Sequence, residues 1–132
     1  MKKFLTTTVG YSVVSMAIGM SWHFVFFKDL YHQLGIYNRA EPIIPLGLLS
    51  MIVQGLIMSY LYPFFRPGVR PIVRGITFSL LMGLFLFSVS TLANAAKIEV
   101  SSMCTWLLLQ SGFHGIQFVL MGMVFGLVYR RN

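Results

Sequence analysis

Residues 103–129 read MCTWLLLQSGFHGIQFVLMGMVFGLVY, a stretch without a single Asp, Glu, Lys or Arg. A helix needs roughly 20 apolar residues to cross about 30 Å of hydrocarbon, and this stretch is long enough. Three further runs of the same kind occupy residues 4–27, 43–65 and 76–96. The sequence therefore predicts an all-α membrane protein with four transmembrane helices, packed as an antiparallel bundle in one domain (1–132).

The overall composition supports this class and excludes an ordinary globular protein. Hydrophobic residues make up 57% of the chain, charged residues 10%, and the mean hydropathy is +0.78. Such values are far from those of soluble domains. The pI near 10.0 could suggest a nucleic-acid-binding protein, but the basic residues lie at the ends of the apolar runs and not on one soluble surface. We therefore expect a lipid bilayer, and no nucleic acid, as a partner.

The charges are distributed unequally between the two ends of the predicted helices. Seven of the ten Lys and Arg residues lie at one end, which leaves three basic and three acidic residues at the other. The seven are Lys2, Lys3, Arg66, Arg70, Arg74, Arg130 and Arg131. By the positive-inside rule this end faces the cytoplasm. The sequence predicts that both termini are cytoplasmic and that segment 28–42 is external.

Three further features of the sequence need a separate interpretation. The start Met-Lys-Lys followed by an apolar stretch resembles a signal peptide, but no convincing small-x-small cleavage site follows, so we expect a retained first helix. The external segment 28–42 mixes apolar and polar residues, and we expect it to lie in the headgroup layer with Tyr31 and Tyr37 as aromatic anchors.

The single cysteine, Cys104, excludes an internal disulfide.

Small residues recur at helical spacing within the runs and predict the faces along which the helices pack. Helices associate in lipid through close backbone approach, which small side chains permit. The last run contains such a stripe, which ends in a GxxxG pattern. The predicted helix-packing residues are Ser15, Gly19, Gly83, Ser111, Gly115, Gly122 and Gly126.

Uncharged polar residues from all four runs are expected in the external half of the bundle. The set consists of His23, Ser50, Gln54, Ser90, Asn94, Gln110, His114 and Gln117. Two interpretations are open. These groups could bond to one another and fix the orientation of the helices, at roughly 0.6 kcal/mol per hydrogen bond. Alternatively, they could line a small external-facing pocket in which His23, Gln110 and His114 are the polar contacts for a ligand.

His23 also permits a third interpretation, because a small residue, Gly19, precedes it by one helical turn. This arrangement could let a flat tetrapyrrole lie on the helix while the imidazole binds its metal. However, His23 and His114 differ in depth by roughly 10 Å, too much for both to ligate one haem. We therefore expect no cofactor and no metal, and regard a tetrapyrrole held by His23 as the least favoured alternative.

Over most of its length the sequence resembles a known bacterial family. Residues 19–27 read GMSWHFVFF and are followed by Leu34-Gly35 and Pro42, while segment 75–83 and Gly122-x-x-x-Gly126 complete the pattern. The stretches resemble the integral-membrane family called domain of unknown function 1761, which has an aromatic residue where this chain has His23. The resemblance implies four helices in a bacterial inner (cytoplasmic) membrane, and it implies no activity.

The sequence excludes most catalytic arrangements. The three acidic residues, Asp29, Glu41 and Glu99, all lie outside the apolar runs, and there is no Gly-rich phosphate loop or HExxH motif. We therefore expect a protein that is not an enzyme. The favoured hypothesis is a non-catalytic accessory subunit that binds other membrane subunits or a second copy of itself. The alternative is a small-solute carrier or channel, expected to be homodimeric, with an external-facing polar pocket.

Overall fold

Four long helices dominate the structure, a computed structural model that describes residues 1–36 and 39–130. They occupy Lys2–Phe26, Ile44–Phe64, Pro71–Ala95 and Met103–Arg130, and each is long and apolar enough to cross a membrane. In the described part of the chain all regular structure is helical, without strands. The predictions of an all-α fold and of four helices able to cross a membrane are therefore confirmed.

Several of these segments are divided by changes in helical geometry. Helix α1 (Lys2–Met20) continues as a π-helical segment, Ser21–Phe26, and a short α2 (Lys28–Gln33) follows. The others are α3 (Ile44–Leu61) with a 3₁₀ turn (Tyr62–Phe64), α4 (Pro71–Phe87) with a π-helical segment (Ser88–Leu92) and α5 (Ala93–Ala95), and α6 (Met103–Arg130). Single π-helical turns are rare and frequently occur at functional sites.

The boundaries differ from the prediction most at the third run, which was expected to begin at residue 76. Helix α4 begins five residues earlier, at Pro71, because proline lacks an amide hydrogen and its fixed φ suits the first position of a helix. As a result Arg74 lies within the first turn of α4 and not in the preceding loop, where the sequence analysis placed it. At the start of α6, Ser102 accepts a hydrogen bond from the Thr105 amide at 3.3 Å and caps the helix.

Helix α6 has the central position among the long helices. It packs on α4 along one side and on α1 along another, while α1 packs on α3. The resulting spatial order is α3, α1, α6, α4. We call the end of the bundle that carries α2 and segment 96–102 the Tyr31 end, and the opposite end, with segment 65–70, the Arg74 end.

The closest contact between helices joins α4 to α6 and consists of glycines. A Cβ atom built on Gly122 would lie 2.5 Å from the Cα of Ile76, and one built on Gly126 would lie 2.7 Å from the Cα of Ile72. On the other side, a Cβ on Gly75 would overlap the carbonyl oxygen of Gly122. Only hydrogen side chains allow this approach, so the predicted packing role of the GxxxG ending is fulfilled within the chain.

The other predicted packing residues divide into two groups. Ser15, Gly19 and Gly83 are buried on helix–helix contacts, as expected. Ser111 and Gly115, in contrast, are exposed, and a Cβ on Gly115 would have nothing within 4 Å. Neither residue is therefore on a helix contact within the described chain, and their predicted packing role stays a prediction.

At the Arg74 end, one guanidinium group connects α3 to α4. Nε of Arg74 donates to the Phe65 carbonyl at 2.5 Å, and Nη2 donates to the carbonyls of Tyr62 at 2.6 Å and Pro63 at 2.8 Å. The same guanidinium lies 4.5 Å from the centre of the Tyr62 ring. The carbonyl of Tyr62 also accepts a hydrogen bond from the Phe65 amide at 3.1 Å. The final carbonyls of a helix lack amide partners within that helix, and Arg74 supplies donors at this end.

Two buried clusters occupy the two ends of the bundle. The larger one, which we call the aromatic core, lies toward the Arg74 end and contains Tyr11, Met58, Tyr62, Phe78, Phe118, Met121 and Phe125. The smaller one lies at the Tyr31 end and contains Tyr31, Leu34, Trp106 and Leu109.

Tyr31 was expected to be an aromatic anchor in the headgroup layer, and this prediction was wrong. Its side chain is 1% exposed, because α2 folds back onto α6 and Ser101 donates from Oγ to the carbonyl of Gln33 at 2.8 Å. Burial raises the pKa of Tyr31 to about 12, so its hydroxyl keeps its proton and remains a donor. Tyr37, the second predicted anchor, lies outside the described residues.

Candidate functional site

A cleft of about 280 Å³ opens between α3 and α4 in the half of the bundle near the Tyr31 end. Its base is formed by α6, because α3 and α4 lie on opposite sides of the α1–α6 pair. Six of the eight polar residues predicted from the sequence line this cleft: Ser50, Gln54, Ser90, Gln110, His114 and Gln117. The structure therefore brings together most of the predicted set, and none of these six side chains is acidic or carries a permanent charge.

The α4 side of the cleft is shaped by the π-helical segment Ser88–Leu92. Within it, Ser90 places Oγ 3.2 Å from Nε2 of His114, whose Nδ1 lies 2.9 Å from the carbonyl oxygen of Gln110. A carbonyl can only accept, so the neutral imidazole carries its proton on Nδ1 and accepts the Ser90 hydroxyl proton at Nε2. His114 thus connects α6 to the π-helical segment that follows α4.

The α3 side of the cleft is fixed by a bond that crosses from α1. The hydroxyl of Tyr11 donates to Oε1 of Gln54 at 2.6 Å, and Nε2 of Gln54 donates to Ser50 Oγ at 2.9 Å. Tyr11 was not among the predicted polar residues, because its ring belongs to the first apolar run. A tyrosine in the middle of such a run is itself a signal, since its buried hydroxyl needs a partner.

Each of the two glutamines of α6 forms a hydrogen bond to another helix through one end of its side-chain amide. Nε2 of Gln117 donates to Ser15 Oγ at 3.0 Å, and Oε1 of Gln110 accepts from the Tyr31 hydroxyl at 3.0 Å. Within residues 1–36 and 39–130, the opposite ends, Oε1 of Gln117 and Nε2 of Gln110, have no hydrogen-bond partner. The cleft therefore contains one unused acceptor and one unused amide donor group on the same helix.

The cleft is closed toward the Arg74 end by the aromatic core. Phe118 lines the cleft and belongs to that core, where its ring centre lies 6.5 Å from that of Tyr11. Below Phe118, Met121 and Phe125 are completely buried. In this conformation the polar cleft is a one-sided depression and does not continue through the bundle.

Two predicted pocket residues lie elsewhere. His23 packs its ring against Tyr31 at 4.7 Å and Phe113 at 4.8 Å between ring centres, behind the wall of the cleft. Asn94 is exposed, and its Nδ2 donates to the carbonyl of Ser90 in the same helical segment at 2.8 Å. The structure does not bring these two residues into the cleft with the other six, because a place in the same half of the bundle does not fix the direction in which a side chain points.

The surroundings of His23 do not fit a flat tetrapyrrole on Gly19. A Cβ on Gly19 would already be in van der Waals contact with the terminal methyl of Met51, at 3.5 Å. Helix α3 thus fills the surface over which a ring would lie. Among the described residues, no group of three or more His, Cys, Asp or Glu side chains is placed to hold a metal ion.

No protein-family model matches the chain, and neither the curated proteins nor the solved structures include one that is detectably similar to it. The candidate site is therefore defined by its own geometry. The resemblance noted from the sequence stays a prediction.

Proposed function

We propose that this protein is a small, non-catalytic membrane carrier that binds a neutral polar solute in the cleft between α3 and α4. The observation that carries the proposal is the pair of unused amide groups in the cleft, Nε2 of Gln110 and Oε1 of Gln117. Within a membrane, a polar group without a hydrogen-bond partner destabilises the folded protein, and such groups are frequently functional. A solute that both accepts and donates hydrogen bonds satisfies these two groups together.

The chemistry of the lining favours a solute without net charge. The six polar side chains are amides, hydroxyls and an imidazole, and the described residues that line the cleft include no carboxylate, Lys or Arg to pair with a charged solute. Transfer of an unpaired ion from water into such a site would cost many kcal/mol. A volume of about 280 Å³ is near the lower limit for small-molecule pockets, which suits a small polyol or amide.

The closure of the cleft favours a carrier over a continuous pore. The aromatic core blocks the path toward the Arg74 end, so a solute in the cleft has access from one side only. Exchange to the other side would require α3 or α4 to move relative to the α1–α6 pair. Helix α3 contacts chiefly α1 and is joined to α4 through Arg74, so a hinge at the Arg74 end is the simplest motion.

Substitution of the cleft glutamines is expected to reduce transport. Gln117→Met and Gln110→Met keep the side-chain length but remove the amide, and each should lower solute affinity by about two- to tenfold, the contribution of one hydrogen bond. The measurement is uptake of labelled glycerol, urea and acetamide into proteoliposomes. Gln33→Met is the matched control, because Gln33 is exposed on α2, away from the cleft. Unchanged uptake in both cleft variants, or no uptake of any solute by the native protein, would contradict the proposal.

A second candidate function, an accessory subunit that binds other membrane subunits or a second copy of the chain, is supported by a different observation. Ser111 and Gly115 are exposed on α6, and the space beside Gly115 is open. Small residues on a lipid-facing surface permit another helix to approach closely. Gentle solubilisation should then give a species larger than a 15.0 kDa chain in its micelle, and Gly115→Leu should dissociate it. A monomer in the native protein would exclude this role.

For orientation, we propose that the Arg74 end faces the cytoplasm of a bacterial cell and that the chain lies in the inner membrane. In a Cys104→Ser background, Lys97→Cys should react with an impermeant thiol reagent added to intact spheroplasts, and Val69→Cys should react only after lysis. The reason is the excess of Lys and Arg at the Arg74 end. Labelling of Val69→Cys in intact spheroplasts would reverse the orientation.

A further inference from the structure

A second and larger cavity, of about 780 Å³, lies at the Tyr31 end between the last turn before Phe27, helix α2 and the start of α3. Three of the residues that line it are basic: Lys28, His32 and Arg39. None of the described lining residues is acidic. The cavity therefore combines considerable volume with a concentration of basic residues, at an end of the bundle whose overall formal charge is zero.

The remaining wall of this cavity is largely apolar. Phe24, Ile36, Ile43 and Leu46 contribute to it. Ile43 and Leu46 are 47% and 61% exposed, and they continue directly into the lipid-facing surface of α3. A site for a small soluble anion alone would not need such a wall, because its ligand has no apolar part to cover.

The position of the cavity along the bundle matches the boundary between hydrocarbon and headgroups. The first long helix ends at Phe26 and α3 begins at Ile44, so the basic residues lie just beyond the apolar segments while Phe24 and Leu46 lie just within them. A ligand in this cavity is therefore in contact with both layers at once.

We propose that this cavity is a binding site for an anionic phospholipid. The phosphate of the headgroup pairs with Lys28 and Arg39, and one acyl chain lies along Ile43 and Leu46. Cations next to headgroups attract anionic lipids, and a guanidinium matches the geometry of a phosphate. The site is separate from the solute cleft and does not depend on its function. Both share Gly47 and Ser50 in their linings, so the bound lipid would border the mouth of the cleft.

The test measures lipid binding to the full chain in detergent by native mass spectrometry, with phosphatidylglycerol, phosphatidylcholine of the same acyl chains, and soluble glycerol phosphate as probes. We expect phosphatidylglycerol to bind in preference to the other two. The double variant Lys28→Gln/Arg39→Gln should bind it about 30-fold more weakly, since each cation near a headgroup contributes about fivefold in affinity. The charge-matched control, Arg70→Gln/Lys97→Gln, removes two cations outside the cavity and should bind as the native protein does.

Three outcomes would overturn the proposal. Equal binding of phosphatidylcholine would show that the charge of the headgroup is not recognised, and equal binding of glycerol phosphate would show that the ligand is a soluble anion. Unchanged affinity in the double variant would show that the lipid binds elsewhere. Because both substituted residues are exposed, we expect the double variant to have the same unfolding temperature as the native protein. Circular dichroism of the same samples would reveal a loss of folding.

Discussion

Gly122→Ala is expected to destabilise the bundle by about 1–3 kcal/mol, the typical cost of overpacking. The added methyl group would lie 2.5 Å from the Cα and 2.8 Å from the amide nitrogen of Ile76. Both atoms belong to the backbone of α4, so no change of side-chain rotamer can relieve the overlap, and the two helices must separate. The measurement is the free energy of unfolding in mixed micelles titrated with a denaturing detergent.

The matched control is Gly115→Ala, on the same helix and with the same chemical change. A Cβ on Gly115 would meet nothing within 4 Å, and alanine is favoured over glycine in a helix by roughly 0.5–1 kcal/mol. This variant should therefore be as stable as the native protein or more so. If the two substitutions had the same effect, the close contact of α4 with α6 at Gly122 would not exist in the folded protein.

Arg74→Ala is expected to destabilise the protein by about 3 kcal/mol or more. Its guanidinium donates three hydrogen bonds to carbonyls at the end of α3, and bonds that involve a charged group contribute about 1.5–3 kcal/mol each. Without Arg74 the carbonyls of Phe65 and Pro63 lose the guanidinium as a donor, the Tyr62 carbonyl keeps only the Phe65 amide, and the connection between α3 and α4 is weakened. We expect the unfolding free energy to fall accordingly, and α3 to become accessible to proteases near Phe65.

Arg74→Lys should recover only part of this loss, because an ammonium group is a point charge and cannot reach three carbonyls in the geometry of a planar fork. The control is Arg70→Ala, which removes an exposed arginine at the residue just before α4 and should change stability by less than about 0.5 kcal/mol. Equal stability of Arg74→Lys and the native protein would show that charge alone is required there.

The extent of the long helices follows from the sequence because it depends on a one-dimensional property. A run such as 103–129 must be helical in lipid to satisfy its own backbone groups, and its length is visible without knowledge of its neighbours. The predicted start of the third helix at residue 76 was too late for the same reason. The charged Arg74 was taken to lie outside the helix. In the structure α4 begins at Pro71 and includes Arg74, because carbonyls at the end of α3 accept hydrogen bonds from its guanidinium.

The packing faces were only partly predictable. Helical periodicity places Ser111, Gly115, Gly122 and Gly126 on one face, but α4 contacts α6 along the row formed by Gly126, Gly122, Phe118 and His114. Such a row drifts around the helix by about 40° with every four residues, and the contact drifts with it because the helices cross at an angle. The sequence does not contain the crossing angle, so it could not show that Gly115 is left exposed.

The sequence by itself determined the number of helices, their approximate ends and the uncharged character of the polar groups at depth, since these depend on the composition of contiguous runs. Only the tertiary structure decided which of those polar groups meet. The bonds from Tyr11 to Gln54, from Tyr31 to Gln110 and between Ser15 and Gln117 join residues distant in the chain. They exist because the order α3, α1, α6, α4 places particular helix faces together, and that order is a property of all four helices packed at once.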